Sequence, residues 1–258
     1  MNELALRSAN TVPHRILGGH ALTLPGTGKV ERLPFTIRIV QTESELLKAI
    51  RVRHTAYARH LPELGEALKE PEAMDFDADV TILLAESKLD GSPLGTARIQ
   101  TNAFRPLSVE RSVDLPAHMQ GHRLAEVTRL GVETGRIGRV VKIALVKASF
   151  MFCERSGIEW AIAAGRAPID QQYEALLFSD VYPDQGFVPL QHAGNIPHRV
   201  MAFEIGTGHA RWSAACHPLL DFFSNTEHPD ISVDRREPLP MAATGANDMT
   251  FASFSLAQ

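Results

Sequence analysis

Residues 123–152 read RLAEVTRLGVETGRIGRVVKIALVKASFMF, and the fold turns on this stretch. Residues 124–132 have the apolar, β-branched character of a strand, yet Glu126, Thr128 and Arg129 interrupt it. A glycine- and arginine-bearing turn, TGRIGR (134–139), follows. An apolar helix is expected from about residue 138 to 155, with Gly157 as its natural C-cap. The next run, IEWAIAAG (158–165), reads as a second buried strand. Two apolar strands joined through a helix are expected to lie side by side and parallel, with a right-handed connection.

On a regular strand residues 124, 126, 128, 130 and 132 share a face, which sets Glu126 and Thr128 among Leu124, Leu130 and Val132. A buried carboxylate is costly unless it is paired, hydrogen-bonded or protonated. Two readings stay open. Either this end of the strand reaches solvent and Glu126 pairs with Arg129 or another neighbour, or the strand borders a cleft in which Glu126 is a base or an orienting acceptor. In the turn, Gly135 and Gly138 allow a tight curl before a helix N-terminus, whose free N–H groups and dipole favour an anion. Arg136 and Arg139 add positive charge there. Two glycines at that spacing are by themselves ordinary capping; strand, turn and helix together point to a phosphate or pyrophosphate cradle.

Working outward, PFTIRIV (34–40) alternates as a strand, and TESE (42–45) is a capping box, with Thr42 as N-cap and Glu45 reaching back. It opens a helix over about 44–60 with Leu46, Ile50, Tyr57 and Leu61 on one stripe. Arg53 falls on the same stripe, either snorkelling at the core edge or serving as an anion clamp. Residues 60–79 form a long acidic connection, uncommon without a function. The strands VTILLAE (80–86) and PLGTARIQ (93–100) are joined through Asp90-Gly91, a hairpin signal. An irregular passage over 101–122 leads into the opening stretch. After residue 165 come a short helix with Pro168 near its start, two final strands, and one helical turn at HPLLDFF (217–223). The expected organisation is an N-terminal extension (1–33), one α/β domain with a mixed sheet (34–210) and a C-terminal extension (211–258).

The 258 residues, 44% hydrophobic and 22% charged, have the composition of an ordinary globular chain. A net charge of -4 argues against a sequence-independent nucleic-acid binder. Cys153 and Cys216 are far apart and in no metal-ligand spacing, and Cys153 reads as a buried, inert thiol in a reducing compartment. No segment reaches the roughly 18 apolar residues of a membrane span, and no signal peptide is evident, so a cytoplasmic location is expected. His192, His198, His209, His217 and His228 are scattered without the spacing of a helical metal site, and no metal is expected.

The order strand, Gly/Arg turn, helix, strand and short helix, followed by a Gly-Phe pair (YEALLFSDVYPDQGF, 173–187), resembles the GCN5-related N-acetyltransferase fold. Three segments resemble the branch that takes acyl chains from acyl carrier protein. IRVRHTAY (50–57) is similar to the first-helix signature of acyl-homoserine lactone synthases, and EAMDFD (72–77) to their acidic box. GTARIQT (95–101) with EVTRLGV (126–132) is similar to their paired strands, a pattern that N-acyl amino acid synthases share. The chain departs from the lactone synthases at Met74, where an acid is usual, in the absence of a tryptophan after the first helix, and in its longer ends. These departures favour the N-acyl amino acid synthase side.

The resemblance implies a mixed, mainly antiparallel sheet with a parallel pair splayed at the acyl-thioester site and helices on both faces. It implies Glu126 as general base, directly or through water, and Thr128 orienting the acyl carbonyl or the amine. Backbone N–H groups just after Arg129, around Leu130 and Val132, would polarise the thioester. Arg98 and Arg129 would hold the acidic loop, Asp75 and Asp77 would close the site, and Arg53 and Tyr57 would gate its entrance. Arg136, Gly138 and Arg139 would approach the phosphopantetheine phosphate, and Tyr182 would protonate the departing thiolate. The co-substrate would be an acyl-phosphopantetheine thioester, on acyl carrier protein or coenzyme A, with no tightly bound cofactor. The function expected is transfer of a medium or long acyl chain to the amine of an amino acid. The excess of arginine near one cleft suits an acceptor that carries a carboxylate. Alternatives are lactone synthesis from S-adenosylmethionine, short-chain transfer from coenzyme A, and a non-catalytic module binding acyl lipid or carrier protein.

Overall fold

The computed structural model describes residues 28–234. Its elements are β1 (Lys29–Val30), β2 (Phe35–Ile39), α1 (Glu43–Ala58), α2 (Pro62–Ala67), β3 (Val80–Ser87), β4 (Pro93–Thr101) and β5 (Leu124–Val132). There follow α3 (Gly135–Arg155), β6 (Trp160–Gly165), α4 (Asp170–Ala175), β7 (Ser179–Asp180), β8 (Val188–Leu190), β9 (Ile196–Glu204), α5 (Gly208–Ala214) and β10 (Thr226–Glu227). The main sheet runs β2-β3-β4-β5-β6-β9-β7, with β8 paired to β9. Every pairing in it is antiparallel except β5 with β6, the parallel pair expected from the sequence.

Alternation within the strands divides the core between the two faces. On one face α3 lays Val141, Leu145, Ala148 and Phe152 against Phe35, Ile37, Ala97, Ile99 and Ala125. On the other, α1 lays Leu46, Ala49 and Ile50 against Ile82 and Leu84. The Thr42–Glu45 capping box is present: Glu45 N–H donates to Thr42 Oγ1 at 3.2 Å, and Glu45 Oε2 accepts from Thr42 N–H at 3.2 Å.

Four sequence expectations are modified. The turn at 134–139 is mostly helix, because α3 starts at Gly135, itself at φ +82°. Gly138 is required in this first turn, since a Cβ there would lie 1.7 Å from the Glu133 carbonyl oxygen. The connection at 60–79 holds α2 and a 3-10 turn, Ala73–Phe76. The β5 alternation does not run unbroken: Arg129 stands at φ +54° and the pairing with β4 shifts between Thr96 and Arg98. This bulge turns Leu130 and Val132 to the α3 face, leaving Glu126 and Thr128 on the other with Gln100 and Arg98.

The fourth concerns the C-terminal side. Residues 211–234 include part of α5 and pack into the core through Trp212, Phe223, Ile231 and Val233. Trp212 stacks on Phe223 at 4.6 Å between ring centroids and on Phe203 of β9 at 5.2 Å. β10 pairs with β1, and Ile231 bridges Ile37. The remainder of the expected extensions, 1–27 and 235–258, lies outside the described residues.

Candidate active site

β5 and β6 pair only over residues 124–127 and 160–163; past Val127 the two strands part. A cavity of about 730 Å³ fills the opening, within the size range of small-molecule sites. Its walls are Tyr57 on α1, Thr128, Arg129, Leu130, Gly131 and Val132 on β5, Ile143 and Val146 on α3, and Tyr173 on α4. His192 and His198 close the side nearest β9. Gly131 lets β5 approach α1, because a Cβ there would come within 3.0 Å of Ala56 Cβ. A second, apolar space of about 40 Å³ shares Val127, Leu130, Val146, Tyr173 and Leu176 with the first and ends against Phe150, Cys153 and Trp212. Burial pushes the Cys153 thiol up to about 12, consistent with the inert thiol expected.

Behind the β5 wall lies an ionic cluster. Arg53, fully buried, donates to both Asp75 oxygens at 2.9 and 3.0 Å and to Glu72 at 3.2 Å. Arg98 bonds Glu72 at 2.9 Å, Asp75 at 3.2 Å and, through Nε, Thr128 Oγ1 at 3.2 Å. Arg129 grips Glu72 with two donors at 2.7 and 2.8 Å. Burial alone would raise the Glu72 carboxyl, but Arg129, Arg98 and Arg53 outweigh it and hold it down at about 2. Three guanidiniums thus share two carboxylates within the cluster. Arg53 is therefore clamped to acid and is not a snorkelling arginine; Arg129 is the member of the trio that lines the cavity.

Glu126 is buried beside this cluster and does not line the cavity. Its Oε2 accepts from Val109 N–H at 3.0 Å, and its Oε1 lies 3.1 Å from His192 Nε2. That second contact meets the distance of an ion pair without the angle of a hydrogen bond. The His192 carbonyl accepts from Arg129 at 3.2 Å, so β5 holds both ends of this histidine.

Tyr57 and Tyr173 both border the cavity, and burial raises both phenols, so each keeps its proton at neutral pH. Arg136 and Arg139 are exposed in the first turn of α3, and their guanidiniums make no bond among the described residues. Lys142, one turn further on, reaches the cavity and donates to Gln172 of α4 at 2.6 Å.

The structure thus brings Tyr57, Thr128, Arg129, Leu130 and Val132 to one cavity, with Arg53, Arg98, Asp75 and Glu126 directly behind its wall. Five expected residues stand elsewhere: Arg136, Gly138 and Arg139 lie in the first turn of α3 and are absent from the cavity wall. Asp77 pairs with Arg105. Tyr182 donates its hydroxyl to the Asp114 carbonyl at 2.7 Å and is absent from the cavity wall, because the chain between α4 and β8 carries it to the far face of the sheet. Three residues were not singled out from sequence. Glu72 is the hub of the arginine cluster, and its place at the head of the acidic box was the available signal. Tyr173 sits on the short helix the sequence did identify. His192 had no signal, since its position depends on the turn after β8.

A scan against protein-family models finds no match, and no curated protein matches the chain by sequence. Among solved structures, the chain is similar to FeeM, an N-acyl amino acid synthase from uncultured soil microbes. The TM-score is 0.53 at 16% identity, over 73% of this chain and 96% of that one. It is also similar to BjaI, a CoA-dependent acyl-homoserine lactone synthase, in a structure with SAM and isopentyl-CoA. There the TM-score is 0.50 at 18% identity, over 75% of this chain and 93% of that one. The likeness is one of fold: the chain has the GCN5-related N-acetyltransferase fold that its sequence resembles.

Proposed function

We propose that this protein is an N-acyltransferase that moves a medium or long acyl chain from a phosphopantetheine thioester to the amine of an amino acid. The observation that carries the reading is the cavity at the parting of β5 and β6. It has apolar walls for a chain, unpaired strand edges for a carbonyl, and the Arg129 guanidinium for a carboxylate. The fold likeness to an N-acyl amino acid synthase and to a CoA-dependent lactone synthase supports it.

In this reading the thioester carbonyl lies along β5 beyond the bulge, where peptide N–H groups around Leu130 and Val132 have no β6 partner and would stabilise the oxyanion. The acyl tail follows Leu130 and Val146 toward Trp212. The acceptor's carboxylate faces Arg129, and its amine lies at the Glu126 end of the cavity, with Thr128 beside it. Arg53, Arg98 and Asp75 hold Arg129 in place through Glu72. The amine attacks as the free base, the C–N bond forms and the C–S bond breaks; Tyr173, which keeps its proton, gives it to the departing sulfur and regains one from the nitrogen, leaving thiol and amide. Arg136, Arg139 and the α3 N-terminus made possible by Gly138 would meet the phosphopantetheine phosphate. Acyl carrier protein is the donor favoured, with acyl-coenzyme A as the other arm of the test.

The test is a reaction of the purified chain with acyl-carrier-protein and acyl-coenzyme A thioesters of graded length, a mixture of amino acids, and S-adenosylmethionine. N-acyl amino acids read by mass spectrometry support the proposal. A lactone formed only with S-adenosylmethionine replaces it with lactone synthesis. Binding of thioester without any transfer replaces it with a binding module.

A further inference from the structure

Four cations line the cavity, Arg59, Arg129, Lys142 and Arg166, and among the described residues no aspartate or glutamate joins them there. Three of the four are engaged. Arg59 donates to the Val132 carbonyl, Lys142 to Gln172, and Arg129 to Glu72 and the His192 carbonyl. The Arg166 guanidinium alone makes no hydrogen bond or ion pair among the described residues. Asp170, Glu174 and Asp180, which follow it in the chain, all bond Arg199 instead. Arg166 is half-buried, one residue past the end of β6, where that strand has left β5. None of its nitrogens is among the buried polar atoms without a partner, so the unbonded guanidinium is open to a ligand. Gly165 pairs with Arg199 across the β6–β9 ladder, which sets Arg166 beside His198. Burial holds the His198 imidazole below the usual histidine range, and His192 and the Arg166 charge beside it lower it further. The cavity wall nearest β9 thus runs from Arg129, bonded to His192, past His198 to Arg166. A guanidinium keeps its charge at any ordinary pH, and drawing it partly out of water with no acid nearby is uncompensated until an anion arrives.

We propose that Arg166 is a specificity-determining residue that binds a second anionic group of the acceptor, which is therefore an amino dicarboxylate of the aspartate or glutamate kind; this rests on the N-acyl transfer reading above. Arg129 meets the α-carboxylate through Nη1, the nitrogen that Glu72 and His192 leave over. Arg166 takes the side-chain carboxylate on its planar fork, whose paired N–H groups match two carboxylate oxygens. His192 and His198 stand between the two guanidiniums, so the two arginines serve separate carboxylates. With its amine as the free base, a dicarboxylate carries two negative charges into a cavity whose charged wall residues are all cations. An acceptor with a neutral side chain would leave Arg166 partly desolvated and unpaired. A site built to pair a polar group of its substrate rejects the analogue that lacks it, and that unpaired guanidinium is the source of discrimination here. The donor's phosphate has cations of its own in this reading, Arg136 and Arg139, which are exposed on α3 outside the cavity wall.

The experiment is an acceptor panel for the full chain and its Arg166→Gln and Arg166→Lys variants, with one acyl thioester held fixed. Aspartate, glutamate, asparagine, glutamine and alanine are the acceptors, and kcat and KM are read for each of them and for the donor. The wild type should use a dicarboxylate at least about 10-fold better in kcat/KM than its amide, the low end for a charge-assisted hydrogen bond. Arg166→Gln should erase that ratio through the acceptor's KM. Arg166→Lys keeps the charge without the fork and should retain part of it. Thermal melting is the fold control, and a ratio taken within one protein does not depend on the fraction folded. Equal or better use of the amides by the wild type, or an unchanged ratio in Arg166→Gln, would overturn this assignment alone. So would a rise in the donor's KM with the acceptor ratio kept, the result of a phosphate contact at Arg166. Absence of transfer to any amine by the wild type would overturn the N-acyl transfer reading as well.

Discussion

Replacing Glu72 by glutamine tests the arginine cluster at its hub. The substitution removes the carboxylate that accepts from Arg53, Arg98 and Arg129, leaving Asp75 bonded to Arg53 and Arg98 and, among the described residues, no carboxylate bonded to Arg129. Folding lowers the Glu72 pKa from 4.5 to about 2, and each pH unit corresponds to about 1.36 kcal/mol, so the ionised form stabilises the fold by about 3 kcal/mol. Breaking a buried ion pair by removing one partner costs about 3–5 kcal/mol, which agrees in size. The sign follows from the direction of the shift. A lowered carboxyl contributes its full stability above the unfolded pKa near 4.5 and loses it as pH falls toward about 2. Urea unfolding of the wild type and Glu72→Gln should therefore differ by about 3 kcal/mol at pH 7, with the gap narrowing progressively below pH 4.5. A difference under about 1 kcal/mol at pH 7, or a gap that does not change with pH, would refute the reasoning.

Gly138→Ala should destabilise the chain by about 3 kcal/mol through overpacking, since the added Cβ would lie 1.7 Å from the Glu133 carbonyl; thermal melting checks it. Leu130→Trp fills the neck between the two cavities and should cut transfer of long acyl chains by at least about 10-fold while sparing short ones, as read by a donor-length panel. A chain ending at residue 210 loses Trp212, Phe223, Ile231 and Val233 from the core. Loss of one large buried aromatic costs about 3–5 kcal/mol against a typical total of about 5–15, so the shortened chain should fail to melt cooperatively by circular dichroism.

The elements that carry strong local signals were legible in the sequence. The capping box at Thr42, the hairpin glycine at residue 91 and the apolar strands on either side of α3 announce themselves within a few residues, and parallel pairing follows from chain handedness. The bulge at Arg129 was not legible, because a non-glycine residue at positive φ is held by tertiary contacts, here the bonds to Glu72. That single departure decides which side chains face the cavity. Leu130 and Val132 were expected beside Glu126 and lie on the opposite face. The partnership of Glu126 with His192 joins residues 66 positions apart, through a turn whose path no local pattern sets. Residues 211–234 read as an extension because their apolar residues keep no single period; Trp212 and Phe223 nevertheless stack into the core.

The most direct measurement of acyl transfer is mass spectrometry of lipid extracts from cells producing the protein, beside cells producing Glu126→Gln. N-acyl amino acids present with the wild type and absent or strongly reduced with the variant are the predicted result. Extracts indistinguishable from those of cells without the protein, across several hosts, would contradict it.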